Sequence, residues 1–413
     1  MKIVHVTHNI HTGGAATCVR RVIRCNEKSG IDQSLIVGSP SGLYSGEEIL
    51  RPGGSDALKI WRARVSNKLD NELNRLEFNT NRRHRSPNLI GALSSKTLNA
   101  SGANVVHLHW INHGLISIRQ LNRIEKPIVW SSLDMWPFTG GEHYVSKENL
   151  SRLTDGYKRN NRNSEDWGID LERHCFIQKE KLTSKKILFI HPSAWLKEVS
   201  ASSKIGSSFE HLILPPPLDT DFFRPLERQT YNQENTKSDF TIGFGGGLSG
   251  RKGWQEVKSL FLKYLVHHNR VKLVHFGGAK PDSDLVNFNN YNFVGQIPAE
   301  SQKLVRLINQ IDLLLFPSEA EAFGLLAQEA QSCGTPVMCR VGTGSVDTIE
   351  VNRTGRVFTS SADLIDQIKY FLELSREELS EMRHQARVRA VKLWSYNSIA
   401  IEFFKVYRAW EKS

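Results

Sequence analysis

The chain has no run of about 18 apolar residues, so it offers no segment of the kind that spans a bilayer as a helix. Cysteine is scarce: Cys18, Cys25, Cys175, Cys333 and Cys339 are scattered, odd in number and form no CxxC pair. That pattern speaks against a disulfide framework or a zinc knuckle and fits a reducing cytoplasm. The opening residues, MKIVHVTHNIHTGG, hold an apolar run too short, and too interrupted by His5 and His8, for a secretory signal. Zinc-finger, RNP and KH patterns are missing as well, which sets nucleic acid aside as a partner.

What is present is an ordinary globular composition, 39% hydrophobic and 23% charged, over 413 residues. That length predicts two domains with real cores. A formal net charge of +11 then calls for a partner rich in phosphate, an anionic membrane surface, or both.

Short apolar runs alternate with helical stretches, as in a parallel sheet covered by helices. The N-terminal half offers Ile3–Val6, Ser34–Val37, Val105–Leu108, Ile128–Ser131 and Ile187–Ile190 as strands. Leu214-Pro215-Pro216-Pro217 breaks the pattern, and Pro215 to Asp239, polar around Glu227 to Ser238, reads as a connection. A second series follows at Phe240–Phe244, Val271–Phe276, Ile311–Phe316, Pro336–Cys339 and Arg356–Phe358. The expected domains are 1–217, 218–394 and a closing helix, 395–413, whose Ile399, Phe403, Val406 and Tyr407 pack back on one lobe. One segment differs. From Ser55 to Phe78, Ala57, Trp61, Val65, Leu69 and Leu73 recur every fourth residue among Lys59, Arg62, Arg64, Lys68 and Arg75, with Arg82-Arg83-His84-Arg85 beyond. This is a basic amphipathic helix, facing either the core or a membrane surface.

The densest chemistry lies in Pro317-Ser318-Glu319-Ala320-Glu321-Ala322-Phe323-Gly324-Leu325, running to Glu329, after an apolar strand and at the start of a helix. Unpaired amides and the positive dipole end there suit a diphosphate. Carboxylates suit sugar hydroxyls, although two glutamates near a helix start also serve simply as dipole partners. Upstream, Gly245-Gly246-Gly247-Leu248-Ser249-Gly250-Arg251-Lys252-Gly253 places cations in a glycine-rich loop after a strand, a second phosphate grip or a plain surface turn. Gly13-Gly14 occupy the first strand-to-helix turn.

Glu321 and Glu329 with the intervening Phe323-Gly324, followed by Cys333-Gly334-Thr335-Pro336-Val337, closely resemble the EX7E signature of glycosyltransferase family 4. The resemblance implies an α/β fold of the GT-B type, two Rossmann-like lobes facing a central cleft. It also implies a retaining transfer, without a metal or other cofactor, of a hexose from a UDP- or GDP-sugar. By this resemblance Glu321 contacts the transferred sugar, and Arg251 and Lys252 join it as catalytic groups. Phe323, Gly324 and Leu325 hold sugar and phosphate, Glu329 holds the ribose, and Gly13 and Gly14 approach the donor diphosphate. The family loop reads Gly-Arg-Leu-x-x-x-Lys-Gly; here Gly247 stands at the arginine position, and Arg251 is the expected substitute.

His107-Leu108-His109-Trp110 and Ser131-Ser132-Leu133-Asp134 through Gly141-Glu142-His143-Tyr144 resemble the exopolysaccharide and colanic-acid-type transferases of that family. His109, Asp134 and His143 are therefore expected on the acceptor side. Leu133 replaces a family histidine, and Glu142 replaces a cysteine. Glu142 beside His143 forms an acid–base pair or a surface turn. Neither Asp219-Thr220-Asp221 nor Asp282-Ser283-Asp284 reads as a metal site. The implied acceptor is a glycan, lipid-linked, in surface polysaccharide biosynthesis, with the enzyme cytoplasmic and peripheral at the anionic inner leaflet. A sugar-nucleotide epimerase and a catalytically weak scaffold stand as alternatives.

Overall fold

The structure is a computed structural model. It describes residues 1–38, 56–78, 85–145, 149–164, 166–226, 239–248 and 250–412, with the backbone alone at 56–60 and 77–78. Glu227 to Ser238, Arg82-Arg83-His84 and Ser249, all singled out above, lie outside the described residues. The chain divides into one compact unit of Met1–Pro217 with Ile399–Ser413, and a second of Leu218–Ser398.

The first unit contains β1 (Lys2–Thr7), β2 (Asp32–Val37), β3 (Glu77–Phe78), β4 (Val105–Leu108), β5 (Ile128–Ser131), β6 (Trp167–Gly168), β7 (Ile187–His191) and β8 (Glu210–Ile213). Six of these make a parallel sheet in the order β2-β1-β4-β5-β7-β8, and β3 pairs with β6 as a short antiparallel ribbon. β4, β5 and β7 are buried at every residue, as strands covered on both faces must be. The helices are α1 (Gly14–Glu27), α2 (Asp56–Asn74), α3 (Ser95–Asn99), α4 (Ile118–Leu121), α5 (Leu150–Asp155), α6 (Leu171–Glu180) and α7 (Ala194–Ser202). α1 places Val19 and Ile23 one turn apart against Ile10 and Leu35. Ser193 starts α7 by accepting the Leu196 amide.

The second unit repeats the plan with β9 (Phe240–Gly245), β10 (Val271–Phe276), β11 (Tyr291–Gly295), β12 (Leu313–Phe316), β13 (Val337–Arg340) and β14 (Gly355–Phe358). All six strands are parallel, in the order β11-β10-β9-β12-β13-β14. Its helices are α8 (Trp254–Lys263), α9 (Gln302–Gln310), α10 (Leu325–Ser332), α11 (Ser361–Glu373) and α12 (Arg376–Trp394). Ser375 and Glu378 close a reciprocal capping box at the start of α12. A final helix, α13 (Tyr396–Glu411), belongs to the first unit from Ile399 onward. It buries Ile399, Phe403, Tyr407 and Trp410, and Trp410 Nε1 donates to the Ile128 carbonyl at 2.9 Å. Each such aromatic contributes about 1.5–3 kcal/mol on burial, so the helix is firmly held.

α2 corrects the expectation of a core-facing apolar stripe. Trp61 is 60% exposed and Leu69 44%, while the buried positions are Ser66 and Asp70. The helix docks through polar contacts spaced four apart. Ser66 Oγ donates to the Gly114 carbonyl at 2.8 Å, Asp70 accepts the Asn88 and Leu89 amides at 3.3 and 3.2 Å, and Asn74 Nδ2 donates to the Arg85 carbonyl at 3.3 Å. Burial pushes the Asp70 carboxyl up to about 6, against the backbone amides that favour its charged form.

Candidate functional site

In the second unit the loop after β9 and the loop after β12 are brought together. Lys252 Nζ lies 2.7 Å from Glu321 Oε2, and Arg251 Nη1 lies 4.0 Å from the same oxygen. Backbone contacts fix this meeting. The Glu319 amide donates to the Arg251 carbonyl, and Arg251 Nη1 donates to the Ala320 carbonyl, both at 2.9 Å. The Gly344 amide holds the Glu321 carbonyl at 2.8 Å. Gly253 is a requirement here: its φ is +77°, and a Cβ would stand 2.2 Å from the Pro317 carbonyl oxygen. Gly324, with φ +100°, caps α10, whose first amides follow Glu321 closely in the chain. Glu329 is buried within α10, Phe323 lies in the core, and Leu325 begins the helix. Two cations, one carboxylate and a helix N-terminus thus meet in a single unit, an arrangement fit to hold a diphosphate and an attached hydroxylated group.

The two Asp-x-Asp triplets are occupied otherwise. Asp282 accepts the Trp254 indole at 2.7 Å, and Lys258 bridges Asp282 and Asp284. Asp219 caps the turn that follows it through the Asp221 and Phe222 amides.

In the first unit the candidate groups gather at the C-terminal ends of the parallel strands, where open α/β sheets place ligands. His143 Nδ1 and Asp134 Oδ2 are 2.6 Å apart, and Ser86 Oγ lies 2.9 Å from His143 Nε2. The Trp110 indole and the Trp136 amide also donate to the Asp134 carboxylate, at 3.0 and 2.9 Å. Burial works to raise the Asp134 pKa, but His143 and these donors outweigh it, so the carboxyl sits below its usual range. The partners fix the imidazole: Nδ1 faces the carboxylate, and Nε2 faces a hydroxyl. Trp110 stacks on His143 at 5.5 Å and meets His113 and His8 at 4.8 and 5.8 Å. Burial, with His113 adding to it, pushes His8 down to about 4.

His109 and Glu142 behave differently from their neighbours. His109 points into the unit with His5 and His107; His5 Nδ1 and His109 Nε2 are 3.0 Å apart. One ring nitrogen from each of the three falls within 4.8 Å of the others, the spacing of a three-histidine metal set. The chemistry does not fit an ion, because both nitrogens of His107 are taken, by Tyr407 Oη at 2.7 Å and Ser131 Oγ at 2.8 Å. His109 lines a cavity of about 20 Å3, room for roughly one water, that also touches Leu133. Glu142 does not pair with His143. Its carboxylate accepts the Tyr157 hydroxyl at 2.9 Å and the Gly141 amide at 3.1 Å. Gly13, at φ +90°, caps α1, and nothing lies within 4 Å of where its Cβ would be.

Ser86 escaped the sequence reading because only the tertiary fold brings it to a histidine 57 residues away. The Ser86-Pro87-Asn88 segment itself carries no signal of that partnership. Lys179 escaped it as well. Its buried amine donates to the Trp136 and Thr139 carbonyls at 2.5 and 3.1 Å, which steadies the turn between Asp134 and His143, and burial pushes it down to about 7.

Residues 227–390 match the family model described as glycosyl transferases group 1. That match lies wholly within the second unit. The capsular polysaccharide biosynthesis glycosyltransferase CapM of Staphylococcus aureus is 25% identical over 185 residues, 42% of this chain and 47% of that protein. The chain therefore spans about half the length of that curated relative. Among solved structures, sucrose-phosphate synthase of Thermosynechococcus elongatus superposes with a TM-score of 0.67 at 16% identity, covering 99% of this chain and 98% of its own. HepE of Anabaena in complex with UDP-glucose gives 0.62 at 15% identity, covering 99% and 100%. The fold of this chain is α/β, of the GT-B type.

Proposed function

We propose that the protein is a retaining glycosyltransferase moving a hexose from a UDP- or GDP-sugar to a glycan acceptor, lipid-linked, in surface polysaccharide biosynthesis. The observation that carries this reading is the meeting of Lys252, Arg251 and Glu321 beside the start of α10. Lys252, Arg251 and the α10 amides take the diphosphate, with the backbone of Phe323, Gly324 and Leu325 against sugar and phosphate. The bond from the anomeric carbon to the phosphate oxygen breaks, and its electron pair stays with the diphosphate. An acceptor hydroxyl attacks on the same face and passes its proton to the leaving phosphate. Cationic side chains and the helix dipole stabilise that charge without a metal. Gly13 and Gly14 keep their proposed approach to phosphate, and Asp134 and His143 serve the acceptor. The UDP-glucose in HepE and the capsular role in the name of the S. aureus relative favour the same substrate classes.

Glu321 and Glu329 separate kinetically on this reading. A contact to the transferred sugar changes as the glycosidic bond stretches, whereas a ribose contact stays the same from ground state to transition state. Glu321→Gln is expected to lower kcat, and Glu329→Gln to raise the donor KM with kcat nearly kept. Steady-state rates over a donor series check this, and the opposite pattern would show the two roles exchanged.

A lipid-linked acceptor would call for the enzyme to work at the cytoplasmic membrane face. Among the described residues no helix is long and apolar enough to cross a membrane. α2 instead exposes Trp61 and Leu69 beside Arg62, Arg64 and Lys68. Each cation near an anionic bilayer contributes on the order of 1 kcal/mol, and salt screens it. Flotation with anionic liposomes is expected at low salt and lost at high salt. A protein that stays behind at low salt, or an Arg62→Gln/Arg64→Gln/Lys68→Gln variant that floats as well as the parent, would remove the membrane from the account.

A further inference from the structure

The first unit holds a second concentration of positive charge with no part in the reading above. A cavity of about 240 Å3 opens beside the turn after α5 and one face of α6. Its floor is the stacked pair Tyr157 and Phe176, with ring centroids 4.8 Å apart. Four cations line it: Lys158, Arg159, Arg173 and Lys204. They face a single lining carboxylate, Glu180, which lies 2.9 Å from Lys204 Nζ. Among the described residues no carboxylate comes within ion-pair distance of Lys158, Arg159 or Arg173.

The walls are fixed rather than loose. Asn161 Nδ2 donates to the Gly156 carbonyl at 2.8 Å, and the Lys158 amide donates to Asn161 Oδ1 at 2.9 Å. The Arg173 amide is held by the Asp170 carboxylate at 2.9 Å, and the Lys204 amide by the Leu153 carbonyl at 2.7 Å. Gly156, at φ +80°, makes room for the Lys204 stem, since a Cβ there would stand 3.0 Å from Lys204 Cδ. Four like charges drawn into one concavity repel one another unless an anion joins them. Arginine pairs match phosphate oxygens in a bidentate way. The volume falls below the roughly 300–1,000 Å3 of whole-ligand pockets, so the fit is to a phosphate group and not to an entire nucleotide.

We propose that this pocket binds a phosphate group, as a phosphomonoester or a diphosphate, at a site separate from the Arg251–Lys252 loop of the other unit. The group is carried either by a soluble compound or by a lipid headgroup, and the pocket recognises the chemistry they share. The proposal does not rest on the glycosyltransferase reading. Its test is calorimetric titration of the full chain with pyrophosphate at about 0.15 M salt, where diffuse attraction is screened. The parent and Lys252→Ala are expected to retain binding to this pocket. Lys158→Gln/Arg159→Gln, two exposed side chains whose change leaves the fold intact, is expected to bind about tenfold more weakly or not at all, given charge-assisted hydrogen bonds of this kind. Arg173→Gln gives an independent second variant. Flotation with vesicles of phosphatidic acid in phosphatidylcholine then assigns the source. Binding by the parent that pyrophosphate displaces supports the site with a lipid headgroup, and indifference to vesicles with pyrophosphate still bound supports it with a soluble ligand. If both variants bind pyrophosphate as tightly as the parent, or if the parent does not bind it, the proposal is overturned.

Discussion

Below pH 6.5 the first unit is expected to lose stability by roughly 4 kcal/mol for each pH unit, from three histidines alone. His5, His107 and His109 are wholly buried, and burial pushes their pKa values down, His5 to about 4 and the other two well below their ordinary value. His109 and His5 lower His107 as well, and His5 lowers His109. Their hydrogen-bond partners are one another and the neutral groups Asn26, Gln33, Ser131 and Tyr407. In the unfolded chain all three take up protons near 6.5, whereas the folded unit keeps His5 neutral until about 4 and holds His107 and His109 neutral well below their ordinary range. Stability is therefore fully present above 6.5 and drains as pH falls toward 4. A domain holds only about 5–15 kcal/mol, so two to three pH units suffice to unfold it. Thermal melts of the full chain between pH 7.5 and pH 5 give the slope, and His5→Asn should lower it by about a third, one proton in three. A melting temperature that stays level across that range would mean that the three rings are not held neutral.

Lys252→Ala is expected to lower turnover by roughly a hundredfold to a thousandfold, the scale for losing one preorganised donor aimed at developing charge. The same change frees Glu321 from its partner at 2.7 Å, so the sugar contact proposed for it would lose its alignment too. Arg251→Ala should cost less. Its guanidinium lies 4.0 Å from the carboxylate and is 47% exposed, where solvent screens it. Rates for Lys252→Ala within a factor of about two of the parent, a few tenths of a kcal/mol, would remove Lys252 from the site.

Much of the architecture is written in local pattern. β4, β5, β7 and β12 are short apolar runs buried at every residue, and such runs are legible without any partner. β8 is not: its residues are exposed or half-buried at the sheet edge, and Glu210-His211-Leu212-Ile213 has no apolar period. β11, Tyr291–Gly295, mixes polar and aromatic residues on the opposite edge of its own sheet and is equally silent. On α2 the apolar spacing was real but did not mark a core face, because a buried carboxylate accepting backbone amides fixed the helix instead. The Lys252–Glu321 pair joins loops 69 residues apart, each of which the residue types had singled out in the sequence. The histidine cluster shows the limit. His5 and His107 become neighbours only through the parallel register of β1 and β4, which neither segment announces by itself. Glu142 and His143 show a second limit: they adjoin in sequence, yet their side chains take separate partners, Tyr157 for one and Asp134 for the other.

Incubation of the full chain with UDP- and GDP-sugars and with lipid-linked or soluble glycan acceptors, read by mass spectrometry, puts the transferase reading to its plainest test. The expected result is an acceptor heavier by one hexose, formed from one donor class and abolished by Lys252→Ala. Donor consumed or isomerised equally well without any acceptor, with no acceptor ever gaining a sugar, would contradict it and turn the reading to an epimerase.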